Sequence, residues 1–329
     1  MRILTRHLRA VSKSFPTTNR FDVPAGLGVN TLATKLSLVI IMNAILGIII
    51  TLFMVFGGFL LAGGNMQVIA YSAPYEMMII GGAAIGAFLV GNDMAGVKHT
   101  LGDIGAVFKG SKWKKSDYND LLCLMHELVR ILRESPVEIE THIENPEESS
   151  LFQQYPKILK DKGVVELICD TIRSMIMNFD DVYQVEELLD KQLDAIKAEK
   201  LHGAHALQTM ADALPALGIV AAVLGIIKTM ASIDKPPEVL GHMIGSALVG
   251  TFLGVFLAYA LVGPFSTKIK ALREQEHYFY TLIREVIVSS LHKNPTNICV
   301  EVARRGAPKD QRPSFNDVEQ ALKALKKAA

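Results

Sequence analysis

Charge is missing from this sequence over a long stretch: between Leu36 and Tyr75 no side chain is ionised. A soluble domain needs solvated groups far more often than that, and about 20 apolar residues suffice to cross a hydrocarbon core. Cysteine is scarce. Cys123, Cys169 and Cys299 stand far apart, with no CxxC and no Cys/His ligand spacing, so neither a zinc site nor a redox pair is indicated. They read as reduced, buried small hydrophobes. No Walker loop, GxGxxG after a strand, GxSxG or HExxH occurs, so the sequence is not read as an enzyme and no cofactor is expected. Basic residues do not outnumber acidic ones by much, 34 Lys and Arg against 33 Asp and Glu, which argues against nucleic acid as a partner. A β pattern is lacking throughout.

What remains is apolar length. The run LSLVIIMNAILGIIITLFMVFGGFLLA from Leu36 is long enough to span, and Gly63, Gly64 and Asn65 break it. A second run, Met77 to Gly91, is bracketed by Glu76 and Asp93, and spans if its ends reach the headgroups. Two further runs, Ala213 to Ile227 and Val239 to Thr267, form a helical hairpin across a short link that holds Pro236 and Pro237. The fold expected is an all-α membrane protein. Its parts are a basic N-terminal arm over 1–35, spans one and two over 36–97, a helical domain over 98–208, spans three and four over 209–267, and C-terminal helices over 268–329.

Orientation follows from lysine and arginine. Arg2, Arg6, Arg9, Lys13, Arg20 and Lys35 precede the first span; Lys98, Lys109, Lys112, Lys114 and Lys115 follow the second; Lys268, Lys270 and Arg273 follow the fourth. The excess belongs on the cytoplasmic side of the membrane, which places both termini and the long middle segment in the cytoplasm. The first run begins too far from the N-terminus, and is too long, for a cleaved signal peptide. Met42 is a sensible alternative start, so residues 1–41 are either a genuine arm or a misassigned beginning. In the middle segment Leu121, Leu122, Leu124, Met125, Leu128, Val129 and Leu132 recur at helical spacing. Pro136, Pro146 and Pro156 punctuate it, and VVELICDTIRSMIM and VYQVEELLDKQLDAIKAEK continue it as helices. Trp113, inside KWKK, suits either the headgroup layer or an ordinary domain surface. Ser314 with Asp317 reads as a helix start.

Without nucleotide chemistry, work must draw on a transmembrane ion gradient, worth about 2.3 kcal/mol per charge per 100 mV. No Asp, Glu, Lys or Arg is read inside the four apolar runs; only His242 lies within, and it reads as interfacial. Asp212 marks the cytoplasmic mouth of the third span. An ion-conducting role therefore requires a carboxylate from another chain. Gly218, Ala221, Ala222 and Gly225 in the third span, and the pairs Gly241/Gly245 and Gly250/Gly254 in the fourth, let a helix of this chain or of a partner approach closely. Pro215 and Pro264 each free a carbonyl one turn earlier at similar depth, which provides a polar path, a hinge or a packing kink.

The segments ADALPALGIVAAVLGI and GSALVGTFLGVFLAYALVGP, the IENP at Ile143 to Pro146 and the RPSF at Arg312 to Phe315 together resemble the MotA family, the A subunit of the flagellar stator. The resemblance covers about residues 42–325 in order; the basic arm before Met42 departs from it. It implies a pentameric ring of A subunits around a pair of MotB-like subunits. Each of those is a single-span, peptidoglycan-anchored chain carrying the ion-accepting aspartate. It also implies contact with the rotor protein FliG. Pro215 and Pro264 match the family's functional prolines. Ala222 falls where sodium-driven relatives carry a threonine, and Thr251 matches a threonine common to both types. An alanine offers sodium no oxygen ligand, so protons are the expected coupling ion. Glu140 matches the acidic rotor contact; the basic one falls on Leu132 by ungapped counting and is taken as the adjacent Arg133. Two other readings fit these segments, an ExbB/TolQ-type energiser of outer-membrane processes and a sodium-driven stator. The former usually has three spans. A secondary transporter would show internal repeats or an intramembrane charge. A plain membrane scaffold is the remaining reading.

Overall fold

The structure, a computed structural model, describes residues 29–177 and 181–328, with side chains over 44–325 of that range. The basic arm assigned to 1–35 lies, up to residue 28, outside the described residues. The four apolar stretches lie within the unit Ile40–Ala329. Among the described residues all regular structure is helical.

Helix α1 covers Val29–Leu61, and α2 covers Met66–Gly91. The turn between them uses Gly63 at φ +79, a left-handed backbone that only glycine adopts without strain. Asn65 then caps α2 by accepting from the Gln67 N–H at 2.9 Å. The second span thus starts at Met66, upstream of the apolar run read from Met77, and it carries Pro74 and Glu76 inside the helix. Asp93 caps α3, Met94–Lys109.

The polar domain follows with α4 (Lys115–Glu134), α5 (Pro136–Glu144), the short α6 (Ser150–Gln153) and α7 (Pro156–Leu159), and α8 (Lys162–Ile176). Pro136 and Pro156 occupy first helical turns, where their missing N–H is harmless. The stripe read on α4 is buried from Leu121 to Val129, as the spacing predicts.

Helix α9 runs unbroken from Val182 to Met230, 49 residues, so the domain and the third span share one rod. After a tight turn comes α10, Pro237–Phe256, then a π-helical turn over Leu257–Val262, then α11, Gly263–Leu291. The π turn places the Gly263 N–H on the Ala258 carbonyl, absorbing the register break that Pro264 imposes. Helices α12 (Thr296–Gly306) and α13 (Phe315–Ala328) complete the chain. A reciprocal capping box opens α13: Ser314 N–H donates to Asp317 at 3.0 Å and Asp317 N–H to Ser314 Oγ at 3.1 Å.

Three cores result. One lies among the spans, around Ile80, Leu214, Ala221, Val249 and Leu253. A small one at the junction joins Val107, Ala204, Leu207 and Ile269. The largest fills the polar domain and includes all three cysteines, which are buried and unpaired as expected. Trp113 belongs to this core and not to a headgroup layer or a domain surface. It is 1% exposed and stacks on Phe279 of α11 at 3.9 Å.

Candidate functional site

The third and fourth spans cross where their side chains vanish. A methyl placed on Gly254 would lie 2.7 Å from the Leu214 carbonyl and 2.8 Å from Gly218 Cα; one on Gly218 would lie 2.9 Å from the Gly250 carbonyl. A methyl on Gly225 would meet Ala247 Cβ at 2.6 Å. Backbone thus packs directly on backbone, the geometry small residues permit in a membrane. The helix that these faces touch belongs to the same chain. Gly241 takes no part, since nothing lies within 4 Å of its Cβ position, and Gly245 makes only an ordinary contact with Val68 of α2.

The sequence-selected residues fall around this crossing. Pro215 follows the Leu214 carbonyl that rests on Gly254, so the proline sits at the domain end of the contact. Ala222 is buried beside Ala221, and Thr251 is half-buried beside Gly250. Pro264 is exposed just after the π turn. It lines a shallow cleft of about 560 Å³ with Tyr259, Gly263 and Gln208 of α9. Gln208 in turn donates to exposed Asp212 at 2.9 Å, which ties Asp212 to the same neighbourhood. Glu140 and Arg133 stand apart from this cluster, exposed on α5 and α4. Arg133 donates to the Ser290 carbonyl and hydroxyl, both at 3.0 Å.

One residue contradicts the sequence reading. Because α2 starts at Met66, Glu76 lies within the span and not at its margin, so the apolar bundle does contain a carboxyl. Its side chain is buried against Gly250, whose missing Cβ makes the room: a methyl there would lie 2.6 Å from Glu76 Oε2. The helix also passes through Pro74 without a break. The signal that locates the true start is Asn65, an N-cap residue directly ahead of the run MQVIAY. Nearby, the Ser72 and Ser246 hydroxyls bond at 2.5 Å, linking α2 to α10. His242, exposed, and Lys228 line the cavity above them. Among the described residues no group of three His, Cys, Asp or Glu side chains is placed to hold a metal ion.

Outside the spans, buried charges are paired. Arg273 of α11 bonds Asp103 of α3 and, at 2.6 Å, Glu276 on its own helix. Lys112 bonds Asp161 at 2.5 Å, and Lys157 bonds Asp117. The first pair ties α3 to α11, the helix that continues the fourth span; the Lys157 pair ties α7 to α4, and Asp161, at the start of α8, also accepts from the Tyr280 hydroxyl of α11 at 3.2 Å.

Comparison with known proteins places this arrangement. Residues 45–136 match the motility protein A N-terminal model, and residues 161–280 match the model of the MotA/TolQ/ExbB proton channel family. Motility protein A of Salmonella typhimurium is 36% identical over 286 residues, covering 87% of this chain and 96% of the relative; that of Escherichia coli matches equally. Chemotaxis protein LafT of Vibrio parahaemolyticus is 34% identical, covering 85% of this chain and 98% of the relative. The structure of C. jejuni MotAB, at 20% identity, superposes with a TM-score of 0.62 over 83% of this chain and 99% of that one. Four helices long and apolar enough to cross a membrane, and relatives matched over nearly their whole length, lead to one conclusion: the chain is a multi-pass membrane protein of the motility protein A family, within the MotA/TolQ/ExbB proton channel group.

Proposed function

We propose that this chain is the ion-conducting stator subunit of a bacterial flagellar motor, coupling inward proton flow to torque. It sits in the inner membrane with both termini and the polar domain in the cytoplasm. It assembles as a pentameric ring around a MotB-like, peptidoglycan-anchored partner whose aspartate accepts the ion. Glu140 and Arg133 present charge to the rotor protein FliG, where complementary fields steer docking.

The observation that supports this most is mechanical continuity. The α9 rod, and the α10–α11 rod across its π turn, pass from the glycine crossing straight into the polar domain. A shift in their contacts at membrane depth is delivered to the rotor-facing helices without an intervening linker. Pro215 and Pro264 sit at the domain end of those two spans, where freed carbonyls can meet water or reset the helix. Ala222 presents a methyl and not a hydroxyl at the crossing, which favours protons over sodium. Four candidate spans and the match to the motility protein A N-terminal model separate it from the ExbB/TolQ energisers.

The test is complementation. In a host deleted for its own stator, this chain with its single-span partner restores swimming that persists without sodium and stops when a protonophore is added. Swimming that survives the protonophore but needs sodium reassigns the ion. Failure to swim with both chains inserted refutes the stator role.

A further inference from the structure

We infer that the cavity between α2, α9 and α10 is a proton vestibule, with Glu76 as the group that takes up and releases the proton. This rests on the stator reading for the direction of flow, and adds a site on this chain to it.

Glu76 is 7% exposed, and its Oε2 has no hydrogen-bond partner. An ionised carboxylate buried without a partner in a membrane bundle is expensive, and such residues are kept for use. It does not stand in a dry core. It borders a cavity of about 1200 Å³ at the loop end of the spans, lined also by Ser72, Thr229, Ser246 and His242. That volume and polarity hold several waters. Glu76 is the one carboxyl among the lining residues. The other titratable or charged groups lining the cavity are Tyr71 and Tyr75 on α2 itself, Lys228 from α9 and His242 from α10.

The proton balance is simple. Hydronium in the cavity water gives its proton to the Glu76 carboxylate and leaves water behind. The neutral acid then gives that proton to a water or carboxylate further along the path and returns to the ionised form. In the proposed orientation the loop end faces outside, the side from which protons arrive. The position against Gly250 adds a consequence. The neutral acid can rest on the α9–α10 crossing, whereas the carboxylate draws towards cavity water, so occupancy by the proton reaches the contact that Gly218 and Gly254 make.

The experiment uses the full chain with its partner, in the stator-deleted host and as purified complex in vesicles. Three forms are compared: wild type, Glu76→Gln and Glu76→Asp. Each is checked first for membrane insertion and co-purification with the partner. Proton flux and motor speed are then followed against the pH on the loop side. Glu76→Gln keeps the complex but loses flux about a hundredfold, the low end of what a positioned proton-transfer group contributes. Glu76→Asp recovers flux with a displaced pH profile. Infrared difference spectra between high and low pH show a protonated-carboxyl band in wild type that Glu76→Gln lacks. Wild-type flux and an unchanged pH profile in Glu76→Gln overturn the inference, as does a carboxyl band untouched by that substitution. An inactive but assembled Glu76→Asp also overturns it, because shape and not the proton is then the requirement. If wild type itself fails to drive rotation, the stator reading falls instead.

Discussion

The indole of Trp113 is pressed flat on Phe279, with the ring of Tyr118 meeting Phe279 edge-on and the ammonium groups of Lys112 and Lys157 at 5.0 and 5.4 Å from its centroid. Stacking and cation–π attraction add to the burial of the largest side chain in the domain. Trp113→Ala is expected to destabilise the domain by about 3–5 kcal/mol, the usual range for an aromatic truncated in a core. Unfolding of the purified complex in denaturant measures it. The KWKK context alone suits a headgroup layer or a domain surface and misses the core, because the partner Phe279 arrives from a distant helix; short-range signals such as the Ser314–Asp317 box need no distant partner and are read correctly. Glu301 offers a pH test. Hydrogen bonding from Arg304, then Arg305, holds its carboxyl down at about 2, below the ordinary 4.5. A depressed folded pKa stabilises above the unfolded value and is lost as pH falls through the folded one. Stability is therefore expected to decline between pH 4.5 and about 2, and Glu301→Gln to flatten that decline in helical circular dichroism followed by thermal melts.

Among the elements, the α9–α10 pair shows how far spacing carries. Small residues every four positions mark both faces, but two pairs in α10 look alike and only Gly250/Gly254 meets α9; the register of the crossing, a property of two helices together, decides which. Gly254→Ala is expected to push the rods apart, costing about 1–3 kcal/mol as overpacked sites do. Gly241→Ala, with open space around it, is expected to leave assembly unchanged. Thermal stability of the purified complex, beside swimming in soft agar, separates the two. The π turn before Pro264 escapes sequence reasoning, since a proline announces a break but not how the helix repairs it. Glu76 escapes for a related reason: hydropathy marks where apolar residues begin, whereas Asn65 marks where the helix begins.

For the whole molecule, helical class and four apolar segments are legible because lipid demands length and composition that few soluble sequences show. Continuity of the span rods into the polar domain is not, because hydropathy changes sharply along α9 while helix propensity does not. Topology is open to direct measurement. The three native thiols are buried, and burial raises Cys123 and Cys169 to about 12, so they are unreactive and an added cysteine reports alone. Ile233→Cys, in the exposed turn between α9 and α10, is expected to react with a membrane-impermeant maleimide on intact cells. Glu140→Cys is expected to react only after permeabilisation, and the opposite pattern would invert the orientation.

The unbroken α9 is in effect a lever arm. From Pro215 to Val182 it extends for about 50 Å at about 1.5 Å per residue. A tilt of about 5° at the fulcrum formed by the crossing therefore sweeps its far tip through about 4 Å, close to the pitch of one helical turn. If the proposed proton step acts at the crossing, an ångström-scale event is thereby enlarged to the size of a protein–protein contact.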